Sequence, residues 1–244
     1  MSTRILVLSD IHANLTALQA VLNHAGPVDA VWSLGDVVGY GPDPNECIAL
    51  LKAQPNLVCL LGNHDAAALG QIDMQTFNRE ARLSVRWMQS ILTAESTEFL
   101  NTLPEKQVVG DATLAHGSPR NPVWEYLLDI YTASLNLEYF DTSICMVGHT
   151  HIPVGYFFAP NQGTLRWRVL KSGDTMEMSG RAIINPGSVG QPRDHDARAA
   201  YAIFDPEAHT WTAQRVAYNI IEVQERIERA GLPIRHAERL TDGS

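Results

Sequence analysis

The first hundred residues alternate short apolar runs with segments whose apolar positions recur at helical spacing, which predicts βαβ units and a mostly parallel sheet. Ile5 to Leu8 reads as the first strand, Ala30 to Leu34 as the second and Leu57 to Leu61 as the third. Leu15, Leu18 and Leu22 mark a helix over Asn14 to Asn23, stopped by Gly26-Pro27, and a second helix is expected over Pro44 to Lys52. From Thr76 to Leu103 the period stays helical, with Val85, Met88 and Leu92 on the buried face and Glu80, Arg82 and Arg86 in water. After Pro104 the pattern turns to short strands separated by turn residues. These are Gln107 to Val109, Thr113 to His116, Ile144 to Val147, Pro153 to Phe158, Leu165 to Val169, Ala182 to Ile184, Ala200 to Phe204 and Thr210 to Val216. They predict a largely antiparallel or mixed sheet. Pro119 to Tyr139 interrupts them as a long insertion, and insertions of that length are often functional. Its Trp124, Tyr126 and Tyr131 are read as packing it down, with the wall of a substrate pocket as the alternative. Asn219 to Ala230 is a closing amphipathic helix, and Gly231 onward reads as a frayed tail.

A chain of 244 residues with 45% apolar and 18% charged positions can bury a large core, and we expect one domain over 1–244 with the insertion at about 119–139. The formal charge of -9 argues against a general nucleic-acid coat, which needs Lys and Arg to neutralise phosphates. A local site holding cations could still attract phosphate. Cys47, Cys59 and Cys145 are isolated, odd in number and set in apolar stretches, so reduced core thiols and a cytoplasmic location are expected. No export signal is visible, and no apolar run reaches the roughly 18 residues of a membrane span, so no membrane partner is expected.

The polar residues at the predicted strand ends carry the chemistry. Ser9-Asp10-Ile11-His12 follows the first strand, Gly35-Asp36 the second and Gly62-Asn63-His64-Asp65 the third. An Asp near a helix start is ordinarily a cap. Here the event repeats at the carboxyl ends of parallel strands, which lie along one edge of an open sheet, where ligands bind. The second half adds His116-Gly117 and then Gly148-His149-Thr150-His151, in which Gly148 permits close backbone approach. Asp10, His12, Asp36, Asn63, His64, Asp65, His116, His149 and His151 are nine potential donors, and a bland reading needs most of these placements to be coincidence.

This order of motifs strongly resembles the calcineurin-like metallophosphoesterase superfamily over residues 9 to 151. The wording of residues 35–47, 116–126 and 185–194 is similar to its small bacterial and archaeal phosphodiesterase branch. The resemblance implies a four-layer αββα sandwich of two mixed β-sheets flanked by helices. It implies that Asp10, His12 and His151 hold one metal ion, that Asn63, His116 and His149 hold a second, and that Asp36 bridges the two. Mixed carboxylate, imidazole and amide donors suit Mn²⁺ first, with Fe, Zn²⁺ or Ni²⁺ as alternatives. Two such ions activate a bridging hydroxide and stabilise the attacking and leaving oxygens of a phosphoester. His64 is not a ligand in this scheme and is free to act as general acid. The substrate expected is a small phosphodiester, with nucleotides as candidates.

The sequence departs from the protein phosphatase branch in having Gly39-Tyr40 where that branch has an Asp-Arg pair, so protein phosphatase activity is in doubt. Arg193 and Arg120 are the substitute phosphate-binding candidates. The competing readings are a phosphomonoesterase or protein phosphatase, a nuclease or dinucleotide polyphosphate hydrolase, and a protein-binding scaffold like the retromer subunit of this fold, which has a degraded metal site.

Overall fold

Strand β1 (Ile5–Leu8) is apolar at every position, and every position is buried. Ile5 and Val7 face one apolar cluster and Leu6 and Leu8 another, because successive side chains of a strand point to opposite faces. A strand covered on both sides is the mark of a sheet packed between two other layers. The computed structural model describes residues 3–159 and 163–244.

Helix α1 (Leu15–Ala25) begins where Asn14 Oδ1 accepts the Ala17 N–H at 3.1 Å. It lays Ala17, Leu18 and Val21 on Leu6 and Leu8. Strand β2 (Ala30–Ser33) pairs in parallel with β1, and α2 (Pro44–Lys52) covers the same face through Ile48 and Leu51. Strand β3 (Val58–Cys59) is shorter than the run from Leu57 to Leu61 predicts. Leu60 N–H still reaches Ser33 O at 2.9 Å, but Leu61 N–H turns to Pro104 O at 2.9 Å, and α3 (Asn63–Ala68) starts at once. The helical stretch from Thr76 divides into α4 (Arg79–Ile91) and α5 (Ala94–Asn101). Asn78 caps the first at 2.9 Å and Thr93 the second at 3.1 Å. Val85 and Met88 are buried as expected, while Leu92 is only half-buried at the break.

The remaining strands are β4 (Lys106–Val109), β5 (Ala112–Ala115), β6 (Ile144–Met146), β7 (Pro153–Ala159), β8 (Thr164–Val169), β9 (Thr175–Glu177), β10 (Ala182–Pro186), β11 (Ala199–Asp205) and β12 (Thr210–Val216). Sequence patterning anticipates all of these but β9, whose three residues are too few to show an alternation. One six-stranded sheet runs β3-β2-β1-β11-β12-β9 and the other β4-β5-β6-β10-β7-β8. Each mixes parallel and antiparallel pairs. Val7, Leu34 and Trp211 of the first sheet and its strand ends meet Leu114, Met146 and Ile184 of the second in one apolar layer. The outer face of the second sheet, with Cys145, Tyr156 and Ile183, is covered by Leu127 and by Ala133 of α6 (Ile130–Asn136). The result is two mixed β-sheets flanked by helices, as the resemblance implies.

The expectation that fails outright is the frayed tail. After α7 (Ile220–Arg229) the chain folds back as α8 (Ile234–Glu238) and a turn over Arg239–Thr241. Leu232, Ala237 and Leu240 bury themselves against Val223 and Ile227. Gln224 Nε2 fastens the segment by donating to Ala237 O at 2.8 Å and Thr241 Oγ1 at 2.9 Å.

Candidate metal centre and adjoining cavity

The strand-end motifs meet at one edge of the two sheets, and the residues there are buried: Asp10, His12, Asp36, Asn63, His64, His116, His149 and His151. Five of the candidate ligands have left-handed backbone, with φ of 54° at Asp10, 49° at His12, 53° at Asp36, 66° at His149 and 61° at His151. Such a conformation costs about 1–3 kcal/mol per residue and clusters where function over-determines the backbone. The close approach also needs glycine. A Cβ on Gly148 would collide with Ser9 Oγ, and one on Gly62 would collide with Asp36 Oδ1.

His12 Nδ1 faces Val38 O at 3.2 Å, His116 Nδ1 faces Leu34 O at 2.9 Å and His151 Nδ1 faces Gln191 O at 2.5 Å. A carbonyl only accepts, so in each neutral ring Nδ1 carries the hydrogen and Nε2 presents a lone pair. Those lone pairs converge. His12 Nε2 lies 3.1 Å from His151 Nε2, and His151 Nε2 lies 3.2 Å from Asp10 Oδ1. On the other side, His116 Nε2 lies 3.0 Å from Asn63 Oδ1 and 3.2 Å from His149 Nδ1. Acceptors placed face to face repel unless a cation or proton lies between them. Asp10 Oδ1 accordingly accepts no hydrogen bond from the described residues.

Asp36 joins the two groups, because its Oδ2 is 3.6 Å from His12 Nε2 and 3.4 Å from His116 Nε2. Its Oδ1 accepts the His64 N–H at 2.8 Å. Three donor sets lie close enough to hold an ion: Asp10, His12 and His151; Asp36, His116 and His149; and His12, Asp36 and His64. With its Nε2 at 3.0 Å from Asn63 Oδ1, His116 adds Asn63 to the second set.

The electrostatics follow from burial among carboxylates. Burial drives His12 down, and lowers His149 to about 3 and His64 to about 4, against the opposing pull of Asp36. At His116 burial also favours the neutral ring, but the Asp36 carboxylate outweighs it and lifts His116 to about 9. Burial acts to raise Asp10 and Asp36, yet the facing imidazoles, His151 and His116 foremost, hold both below the usual carboxylate range. The site thus retains two carboxylates and admits positive charge, the condition for binding a divalent cation.

Asp65 is not among the converging donors. It accepts the N–H groups of Val38 at 2.9 Å, Gly62 at 3.0 Å and Val37 at 3.3 Å, and so ties the Asp36 loop to the Asn63 loop. The motif over residues 185–194 has a comparable positioning role. Asn185 Nδ2 donates to Gly148 O at 2.7 Å, and Ser188 Oγ donates to Asp10 O at 2.8 Å.

Next to these residues is a cavity of about 210 Å³, lined by Asn63, His64, Tyr40, Trp124, Tyr126 and Arg193 among others. Trp124 and Tyr126 therefore wall the cavity as well as packing the insertion. Tyr126 stacks on His149 with ring centroids 3.8 Å apart. Tyr131 is exposed instead. Arg193 reaches the cavity. Arg120 does not join it, because its guanidinium is paired with Glu125 and lies over Tyr139, inside the insertion. Sequence reasoning missed Arg239, which lines the cavity from the docked tail. The apolar positions Leu232, Ala237 and Leu240 were the signal for that docking.

Fold and ligand cluster together define a metal-dependent phosphoesterase, and the relatives of this chain agree. The model of the calcineurin-like phosphoesterase superfamily domain matches residues 3–209, so the chain belongs to that family. It is 37% identical over 248 residues to the uncharacterised protein MJ0912 of Methanocaldococcus jannaschii, with 98% of each chain covered. The metallophosphoesterase of Sphaerobacter thermophilus superposes with a TM-score of 0.92 at 45% identity over 100% of both chains. The protein PH1004 of Pyrococcus horikoshii OT3 shares the fold, with a TM-score of 0.80 at 20% identity over 99% of both chains. No helix among the described residues is long and apolar enough to cross a membrane.

Proposed function

We propose that this protein hydrolyses small phosphodiesters at a binuclear metal centre, Mn²⁺ being the first choice of ion. The observation that carries this reading is Asp36 Oδ2, which faces His12 on one side and His116 on the other. Asp10, His12 and His151 would hold one ion, Asn63, His116 and His149 the other, and Asp36 would contact both. Nitrogen and oxygen donors without a thiolate favour Mn²⁺, Fe or Zn²⁺. Two ions so held would lower the pKa of a bound water and neutralise charge on the phosphoryl oxygens.

The protein's own residues do the rest. The backbone carbonyls of Leu34, Val38 and Gln191 fix the tautomers of three imidazoles. His64 lines the cavity with an unpartnered Nδ1, which supports the role of proton donor to the leaving oxygen. Arg193 has a buried Nε without a partner among the described residues and is available to an anionic ester. The buried free thiols Cys47, Cys59 and Cys145 support a reducing, cytoplasmic setting.

The test is elemental analysis of purified protein followed by assay on bis(nitrophenyl) phosphate with added Mn²⁺. About two ions per chain and metal-dependent turnover are expected, as for a two-metal site. A fully loaded protein that hydrolyses no phosphoester would overturn the assignment.

A further inference from the structure

The cavity holds more positive charge than the ligand cluster requires. Both Arg193 and Arg239 line it. The side chain of Arg193 hydrogen-bonds only to neutral groups among the described residues, Gln191 Oε1 at 2.8 Å and Tyr40 Oη at 3.4 Å, and its Nε is buried without a partner. Arg239 forms no ion pair with any described residue, and Glu80 is the carboxylate whose field reaches it. Burial and then the Arg193 charge hold its guanidinium below its usual range.

Neither arginine has a carboxylate within ion-pair distance among the described residues, although the chain carries 27 acidic and 18 basic side chains. Other arginines of the fold are paired with carboxylates, as Arg215 is with Asp194, Arg226 with Asp43 and Arg120 with Glu125. The Arg193–Arg239 pair is instead held together by structure. Arg215 and Asp194 pin the loop that bears Arg193. His236 faces Ser84 Oγ at 2.8 Å and lies 4.8 Å from the Tyr40 ring, anchoring the α8 segment that delivers Arg239. Two guanidiniums that line one cavity form a site for an anion, and paired forks favour phosphoryl oxygens.

We propose that Arg193 and Arg239 form a clamp for a second phosphoryl group, so that the esters hydrolysed here carry a further phosphoryl group on a short arm. This deepens the phosphodiesterase reading and rests on it for the first phosphoryl group, which belongs to the residues around Asp36. The arm is short because the cavity of about 210 Å³ is smaller than the roughly 300 Å³ at the low end of ordinary ligand pockets.

The experiment compares propane-1,3-diol bisphosphate with propyl phosphate, each titrated calorimetrically into the full, metal-loaded chain in excess metal. The bisphosphate should bind the native protein at least about tenfold more tightly, the gain of one added charge-assisted contact. Arg239→Gln should bring that ratio close to one, and Arg239→Lys should recover part of it by restoring charge without the fork. Propyl phosphate binding by the variants reports that the rest of the site is folded. Equal affinity of the native protein for both probes, or an equal loss of both in Arg239→Gln, would overturn the clamp. A preserved ratio in a protein that hydrolyses no phosphoester would overturn the phosphodiesterase reading and leave the clamp standing.

Discussion

Asp36 Oδ2 stands 3.4 Å from His116 Nε2, and the same oxygen is 3.6 Å from His12 Nε2. One carboxylate therefore serves both groups of donors, whereas Asn63 meets the group around His116 and His149. Asp36→Asn should reduce metal content from about two ions per chain to below about one and lower kcat/KM by roughly 10³-fold, while Asn63→Ala should empty mainly one position. Elemental analysis of the two variants decides the matter. Two ions and full turnover in Asp36→Asn would refute the bridging role.

His64 gives a second test. Its backbone N–H donates to Asp36 Oδ1 at 2.8 Å, and its ring lines the cavity with Nδ1 free. Burial lowers it to about 4 despite Asp36, so for the acid role an anionic ester would have to raise its proton affinity on binding. His64→Ala should keep its metals and lose about 10²-fold on alkyl esters, but little on nitrophenyl esters, whose leaving group departs without a proton. Loss of metal would instead place His64 with His12 and Asp36 as a ligand. An equal loss on both esters would remove the acid role.

The site was more legible in the sequence than its surroundings, for a physical reason. Ligand chemistry allows few residue types, so Asp10-x-His12, Asn63-His64 and His149-x-His151 stand out at strand ends without knowledge of the fold. The cavity depends on contacts distant in sequence. Arg239 matters because Leu232 and Leu240 dock on Val223 and Ile227, and the apolar positions of the tail signal the docking without telling where it brings Arg239. Arg120 is equivalent to Arg193 by sequence alone, and only its ion pair with Glu125, five residues away, separates the two. The break between α4 and α5 was readable in principle, since Thr93 is a good cap, but the unbroken apolar period hid it.

His236 couples the docked tail to pH. It is buried, and burial lowers it to about 4 from 6.5, so within that window the unfolded chain holds a proton that the folded chain does not. Stability from this group is complete above pH 6.5 and is lost as pH falls toward 4. The full effect is about 3 kcal/mol, because each tenfold weakening of proton binding on folding is worth about 1.4 kcal/mol. Urea unfolding of the metal-free native protein should weaken between pH 7 and pH 4 by about that much more than unfolding of His236→Gln, which has no ring to protonate. Parallel stability profiles for the two proteins would show that the tail does not respond to this proton.

The final prediction concerns which ester the centre prefers. A monoester dianion brings a negative charge that the protein phosphatase branch meets with an arginine, and Gly39-Tyr40 stands in that place here. Of the substitutes, Arg120 is committed to Glu125, and Arg193 lies over Tyr40, 5.7 Å from its ring centroid. A diester monoanion needs no such contact, since the two proposed ions can hold it. The value of kcat/KM for bis(nitrophenyl) phosphate should therefore exceed that for nitrophenyl phosphate at the same Mn²⁺ and pH, compared as transition-state free energies. Arg193→Ala should leave that order unchanged. A clear monoester preference that disappears in Arg193→Ala would mean that Arg193 grips the scissile phosphoryl group itself, and the substrate would then be a monoester.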